Sequence, residues 1–157
     1  LITVAKGLPP AMEPSPLLER IVNLIQSTNL CVFATVSDQR PRCSLMAYLS
    51  NEDGSEIYML TGKDSHKYRN LQQNRSVSLL IDNRGETARE KTLAVTVSGQ
   101  YEPRIDEDKR RWALDRLLSA YPNLNGLADA PDMEVICIRV ESFLLLEGPT
   151  QSHYVEL

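Results

Sequence analysis

Hydrophobic residues change their spacing along this chain, and each change marks an element. Leu17, Leu18, Ile21, Val22 and Ile25 recur every three to four residues, which predicts an amphipathic helix with one face on a core. Ser15 followed by Pro16 reads as its N-cap with proline at the first helical position, and Ser27-Thr28-Asn29 as its stop. From Leu30 the period falls to two. Residues 30–37 read as a strand, Asp38-Gln39-Arg40-Pro41 as a turn, and 42–50 as the returning strand. Asn51-Glu52-Asp53-Gly54 is a second turn and 56–61 a third strand. A short polar helix from about Ser65 to Gln73, capped by Asp64 or Ser65, then interrupts the sheet. Residues 76–82 resume it as a buried strand, because Leu79-Leu80-Ile81 is continuous.

The cleanest alternation lies at 92–101, with Leu93, Val95 and Val97 on one face. Gly99 within it predicts a bulge or a close backbone approach. Asp106 caps a second long helix, with Glu107 and Asp108 in its first turn and Pro122 beyond its end. Trp112, Leu114, Leu117 and Leu118 are its expected buried side. Residues 133–141 and 142–147 read as two final strands. Six or seven short strands, joined mostly by antiparallel connections and accompanied by three helices, predict a small β-barrel rather than a doubly wound sheet. The expected division is an extended arm over 1–14, one domain over 15–149 and a tail over 150–157.

Composition narrows the class. At 157 residues the chain is long enough for one domain with a proper core. A net charge of −4 and a pI near 5.2 argue against a general nucleic-acid binder. Cys31, Cys43 and Cys137 are odd in number and lack a Cys-x-x-Cys pair, so neither a disulfide framework nor a zinc site is expected and a reducing, cytoplasmic setting is. No apolar run approaches the roughly 18 residues of a membrane span. Residues 1–12 lack a signal-peptide pattern. The first residue is not Met, so the start reads as trimmed or engineered.

Chemistry concentrates at Thr61-Gly62-Lys63-Asp64-Ser65-His66-Lys67-Tyr68-Arg69-Asn70-Leu71. Lys63, Lys67, Arg69 and Arg75 against Asp64 give a local charge of about +3 at a helix start, where the dipole and unbonded N–H groups also favour an anion. A solvated helix face is the plainer alternative. A P-loop does not fit, since Ile57 stands where that loop needs glycine. No Gly-x-Gly-x-x-Gly is present, which removes a Rossmann site. His66 and His153 lack metal-ligand spacing, so no metal is expected. Ser44, His66 and Asp64 have no nucleophile elbow around them. The Lys109-Arg110-Arg111 run with Arg116 reads as the solvated side of the second long helix. What remains is a strand bearing Arg42-Cys43-Ser44-Leu45-Met46, followed about 20 residues later by the cationic helix start. A strand backbone can meet the polar edge of a flat ligand while the helix start holds its phosphate, which describes a planar head on an anionic tail.

In order and spacing, these segments resemble the pyridoxamine 5′-phosphate oxidase-like family of FMN-binding split barrels. The resemblance covers roughly residues 17–147. It rests on Ala34-Thr35-Val36-Ser37-Asp38 with Pro41, on 42–48, Tyr58-Met59-Leu60-Thr61, Ser65-His66-Lys67, Asn70-Leu71-Gln72-Gln73-Asn74 and Val77-Ser78-Leu79-Leu80. It implies a mainly β, antiparallel split barrel of about six strands with flanking helices, dimeric, with FMN at the interface of the homodimer. Arg42, Cys43, Ser44, Leu45 and Met46 would run along the flavin, Leu60 and Thr61 would contact it from the next strand, and Lys67 would bind its phosphate. His66 stands where the oxidase usually has arginine; compensation by Lys63 and Arg69 is expected from their charge and not from the resemblance. The oxidase's substrate-binding lysine is matched here by Ala47, and its C-terminal arginine–histidine segment has no counterpart in 148–157. The resemblance therefore implies an FMN-dependent oxidoreductase with a small-molecule substrate other than pyridoxamine phosphate, and it names no catalytic side chain. A non-catalytic flavin- or haem-binding module, with His153 as axial ligand, and a deazaflavin-dependent reductase are the alternatives. Neither nucleic acid nor membrane is an expected partner.

Overall fold

Ser15 Oγ accepts from Leu18 N at 3.2 Å and opens α1 (Pro16–Ser27), as the Ser-Pro pair predicts. A computed structural model describes residues 15–86, 88 and 91–157; the arm expected over 1–14 lies outside these. β1 (Leu30–Ser37) and β2 (Arg40–Ala47) form a hairpin closed by two residues only, Asp38 and Gln39, with φ of 51° and 61°. Such left-handed residues match the strand twist of a tight hairpin, so β2 begins at Arg40, inside the expected turn. Pro41 lies opposite Val36 on this edge strand, where a missing N–H costs no ladder bond. There follow β3 (Leu49–Ser50), β4 (Glu56–Gly62), α2 (His66–Gln73), β5 (Ser76–Asp82) and β6 (Leu93–Glu102). α3 (Glu107–Ala120), a 3-10 turn (Pro122–Leu124), α4 (Asn125–Ala128), β7 (Met133–Glu147) and β8 (Gln151–Glu156) complete the chain.

The strands lie in the order β2-β1-β5-β6-β7-β4-β3, with β8 also on β7, and the pairings are antiparallel. The protein is a mainly β, antiparallel split barrel with flanking helices, built among the described residues from eight strands rather than about six. Residues 133–147 form one long strand instead of two. The apparent break at Glu141 and Ser142 is a register shift opposite Ser98 and Gly99. There a Cβ on Gly99 would come within 2.5 Å of Arg139 O, so the glycine provides both the bulge and the close approach. The tail expected from residue 150 instead pairs with β7 as β8.

β2 and β3 are the two ends of the strand order, yet only Tyr48 separates them in the chain. Tyr48 is buried. Its hydroxyl donates to Ile25 O at 2.6 Å and lies 2.6 Å from Thr28 Oγ1, while its carbonyl accepts from Tyr121 OH at 2.7 Å. This one side chain therefore ties both sheet edges to the end of α1.

Alternation along each strand divides the buried residues into two clusters. Phe33, Ile57, Met59, Leu79, Ile81, Val95, Val97, Ile138 and Phe143 fill the barrel beneath Ile21, Leu24 and Ile25 of α1. Tyr58, Leu60, Val135 and Cys137 face the other way, under Ala113 and Leu117 of α3. Leu80 is only half-buried, so β5 alternates where continuous burial was expected. Asp106 caps α3 by accepting from Lys109 N at 2.7 Å. Trp112, expected in its buried face, is 39% exposed and packs edge-on to Tyr58 at 5.4 Å between ring centroids.

Candidate functional site

β2 is an edge strand, exposed along most of its length. Its pairing sets Arg42 opposite Thr35, Ser44 opposite Phe33 and Met46 opposite Cys31, so these three share the face of buried β1 residues. Cys43 and Leu45 take the opposite face, where Leu45 is 69% exposed. The five residues expected along one ligand are thus split between two faces, and only the strand backbone is common to both. On β4, Thr61 follows the Ile57 and Met59 face, and its Oγ1 lies 3.2 Å from Ser65 Oγ at the start of α2. The Leu60 side chain turns the other way, into the cluster under α3.

Hydrogen bonds fasten α2 alongside the β1–β2 hairpin. Ser65 Oγ accepts from Tyr68 N at 3.2 Å and caps the helix. Asn70 Nδ2 donates to Thr35 Oγ1 at 3.1 Å, and Ser37 Oγ donates to Gln73 Oε1 at 2.6 Å. Between hairpin and helix lies a cleft of about 400 Å³ lined by Ser37, Asp38, Arg40, Arg42, His66 and Asn70. The structure therefore brings Arg42 and His66 to one hollow at a helix N-terminus. Neither Arg40 nor Arg42 has an ion-pair partner among the described residues. A wider groove of about 760 Å³ beside Trp112 and Arg116 is lined by none of the residues predicted from sequence.

The cations expected at the helix start are partly committed elsewhere. Lys63 Nζ lies 3.5 Å from Glu134 Oε2, and its main-chain N donates to Asp132 O at 2.8 Å. Glu134 is shared with Arg110, whose Nε donates to it at 2.9 Å. Arg69 folds back, donating from Nη1 to Asp64 O at 2.5 Å, with Nη2 3.2 Å from His66 Nδ1. Lys67 is half-buried and has no ion pair among the described residues. Sequence reasoning passed over four lining residues: Ser37, Asp38, Arg40 and Asn70. Two signals could have found half of them, since Arg40 is two residues from Arg42 on a strand and Asn70 is four from His66 on a helix.

Elsewhere, burial pushes the thiols of Cys31 and Cys137 from an ordinary 9.0 to about 12, which keeps them protonated and unreactive. Cys43 is exposed. His153 Nε2 is buried without a hydrogen-bond partner, 3.7 Å from Glu147 Oε2, and Glu147 in turn pairs with Arg20. No helix among the described residues is long and apolar enough to cross a membrane.

A sequence profile described as pyridoxamine 5′-phosphate oxidase matches residues 17–147. The chain belongs to the pyridoxamine 5′-phosphate oxidase family. No curated protein matches it. Solved structures carry the family fold at low identity. A haem-binding protein from Mycobacterium smegmatis is 21% identical with a TM-score of 0.77, over 93% of this chain and 60% of that one. General Stress Protein 26 from Bacillus anthracis is 18% identical at 0.66, over 90% and 98%. An FAD-binding protein from Mesorhizobium loti is 17% identical at 0.66, over 84% and 94%. At such identities the likeness concerns the fold, and the ligands named for two of these structures, haem and FAD, differ.

Proposed function

We propose that this protein is an FMN-binding flavoprotein that acts as an oxidoreductase on a small molecule. One observation carries the reading: the cleft in which Arg40 and Arg42, without ion-pair partners among the described residues, share the lining with His66, at the start of a capped helix, and with Asn70 one turn further on. Two guanidinium groups, an imidazole and helix N–H groups suit a phosphate monoester, and the open backbone of β2 suits the polar edge of a flat ring system. Arg40, Arg42, His66, Lys67 and Asn70 would hold the phosphate end, while the strand from Cys43 to Met46 and Thr61 would lie along the remainder. Leu60 would contribute through its backbone and Lys63 only by its distant charge. The bound flavin supplies the electron-transfer chemistry, and the residues here orient it and limit its contact with water.

A second copy of the chain completes this reading. Leu45, Val32, Leu80, Thr96, Leu144 and Tyr154 follow one another in register across six strands on one face of the sheet. Leu45, Leu144 and Tyr154 in this row are exposed, which is a surface that favours being covered by a partner beside β2. Titration with FMN, riboflavin, a deazaflavin and haem, each followed by absorbance, tests the ligand. FMN binding with riboflavin at least tenfold weaker is the expected result, and a Soret band without flavin binding sinks the proposal. The haem alternative is the less favoured, because His153 keeps its Nε2 buried beside Glu147. Sedimentation of the flavin-loaded protein checks the dimer; a monomer refutes that part alone.

A further inference from the structure

We infer that Arg69 is a positioning residue that acts on the phosphate-binding cleft through His66, an inference resting on the flavin reading above. A guanidinium can only donate hydrogen bonds. Its Nη2, 3.2 Å from His66 Nδ1, therefore makes Nδ1 an acceptor and leaves the ring proton on Nε2. The other arm of Arg69 is held by Asp64 O at 2.5 Å, so both ends of the fork point back along the helix, and the cleft lining includes His66 but not Arg69. The arginine is three residues after the histidine, the spacing that puts two side chains on one helix face.

His66 thereby presents an N–H donor while neutral. A phosphate monoester is then recognised by one hydrogen bond that does not require an imidazolium, with the net charge met by Arg40 and Arg42 of the hairpin. Asp38, which also lines the cleft, opposes surplus negative charge there. Asp64 contributes its carbonyl oxygen to Arg69, and Lys63 is turned toward Glu134. The ligand selected is one with a terminal phosphate, and its affinity is set by geometry at His66 more than by the pH of the medium.

The test is a double-mutant cycle read by FMN and riboflavin affinities at pH 7.0 and 8.5, above the second ionisation of a phosphate near 6. His66→Ala is expected to weaken FMN about tenfold, the worth of a hydrogen bond to a charged group, and to leave riboflavin unchanged. Arg69→Ala is expected to weaken FMN several-fold, and the double variant to be no worse than His66→Ala. Wild-type affinity should change less than about twofold between the two pH values, whereas a required imidazolium would cost up to about tenfold per unit. Nitrogen-15 spectra of the ring, simple to assign because the chain has only two histidines, should show His66 protonated at Nε2 in the apo protein. Additive losses in the cycle, an Nδ1-protonated ring or a steep loss of affinity at pH 8.5 would each overturn the inference. Failure of wild type to bind FMN at any pH would instead overturn the flavin reading, with the ring spectra still deciding the role of Arg69.

Discussion

The two sides of this barrel spend their charges differently. Under α3, Lys109 Nζ donates to Glu56 Oε1 at 2.9 Å, Glu56 also bonds Tyr58, and Glu134 takes both Arg110 and Lys63. Each carboxylate has found its cation, and the groups between are buried with Cys137 and Leu117. Along β2 and α2 the opposite holds: two arginines line a cleft and, among the described residues, no carboxylate pairs with them. A cation with a partner stabilises a fold, while one left facing a hollow raises the affinity for something that arrives from outside. The difference separates a flank of paired charges from a flank of unpaired arginines on the same sheet, and the second is the one to which the proposed binding is assigned.

Perturbations should separate the two flanks, and the largest should hit both. Gly99→Ala places a methyl 2.5 Å from Arg139 O in the strand shared by both clusters, so a loss of about 3 kcal/mol in urea unfolding is expected. A loss below about 1 kcal/mol would mean that the bulge can relax.

Alkaline pH comes next. Folded Cys137 keeps its proton to about 12, while the unfolded thiol loses it near 9.0. In that interval the folded state binds more protons, so stability is full below 9.0 and falls as pH rises toward 12. Tyr58, raised by burial and by its bond to Glu56, adds to the fall on the same flank. Melting temperature against pH, in wild type and Cys137→Ala, reads this; identical slopes for the two would refute the assignment.

Arg42→Ala should weaken FMN about tenfold while moving stability by less than about 0.5 kcal/mol. Glu56→Gln should reverse that pattern, costing about 1 kcal/mol because the pair with Lys109 is partly solvated, with FMN affinity unchanged. If Glu56→Gln impaired binding as much as Arg42→Ala, the division into flanks would be wrong. Lys63→Ala should have the smallest effect, under about twofold on FMN, because its ammonium faces Glu134.

Legibility in the sequence followed the range of the interactions. α1 and α3 were readable because Ser15 and Asp106 cap locally, and β1 and β6 because one face of each is buried. β8 was not, since a short, largely polar edge strand that half-buries only His153 and Val155 carries too little hydrophobic period to stand out. β7 was cut in two because a bulge breaks alternation without breaking the strand. Of the candidate cleft, Arg42 and His66 were readable and the other lining residues were not. Charge density picked out 63–69, and the cap expected at Asp64 or Ser65 is Ser65, but the diversion of Lys63 depends on Glu134, 71 positions along the chain. Arg40 was hidden by a turn assignment that two residues with positive φ shorten.

Tyr48 carries a kinetic consequence. Closing a ring of strands usually demands that distant chain ends meet, at an entropic cost that grows with the loop between them. Here the two rims are neighbours along the backbone, so bringing them near each other needs almost no search, although they share no ladder among the described residues. The slow event in folding should then be the remote pairing of β4 with β7, and assembly of the cleft beside β2 should follow β1–β2–β5 docking without waiting for it.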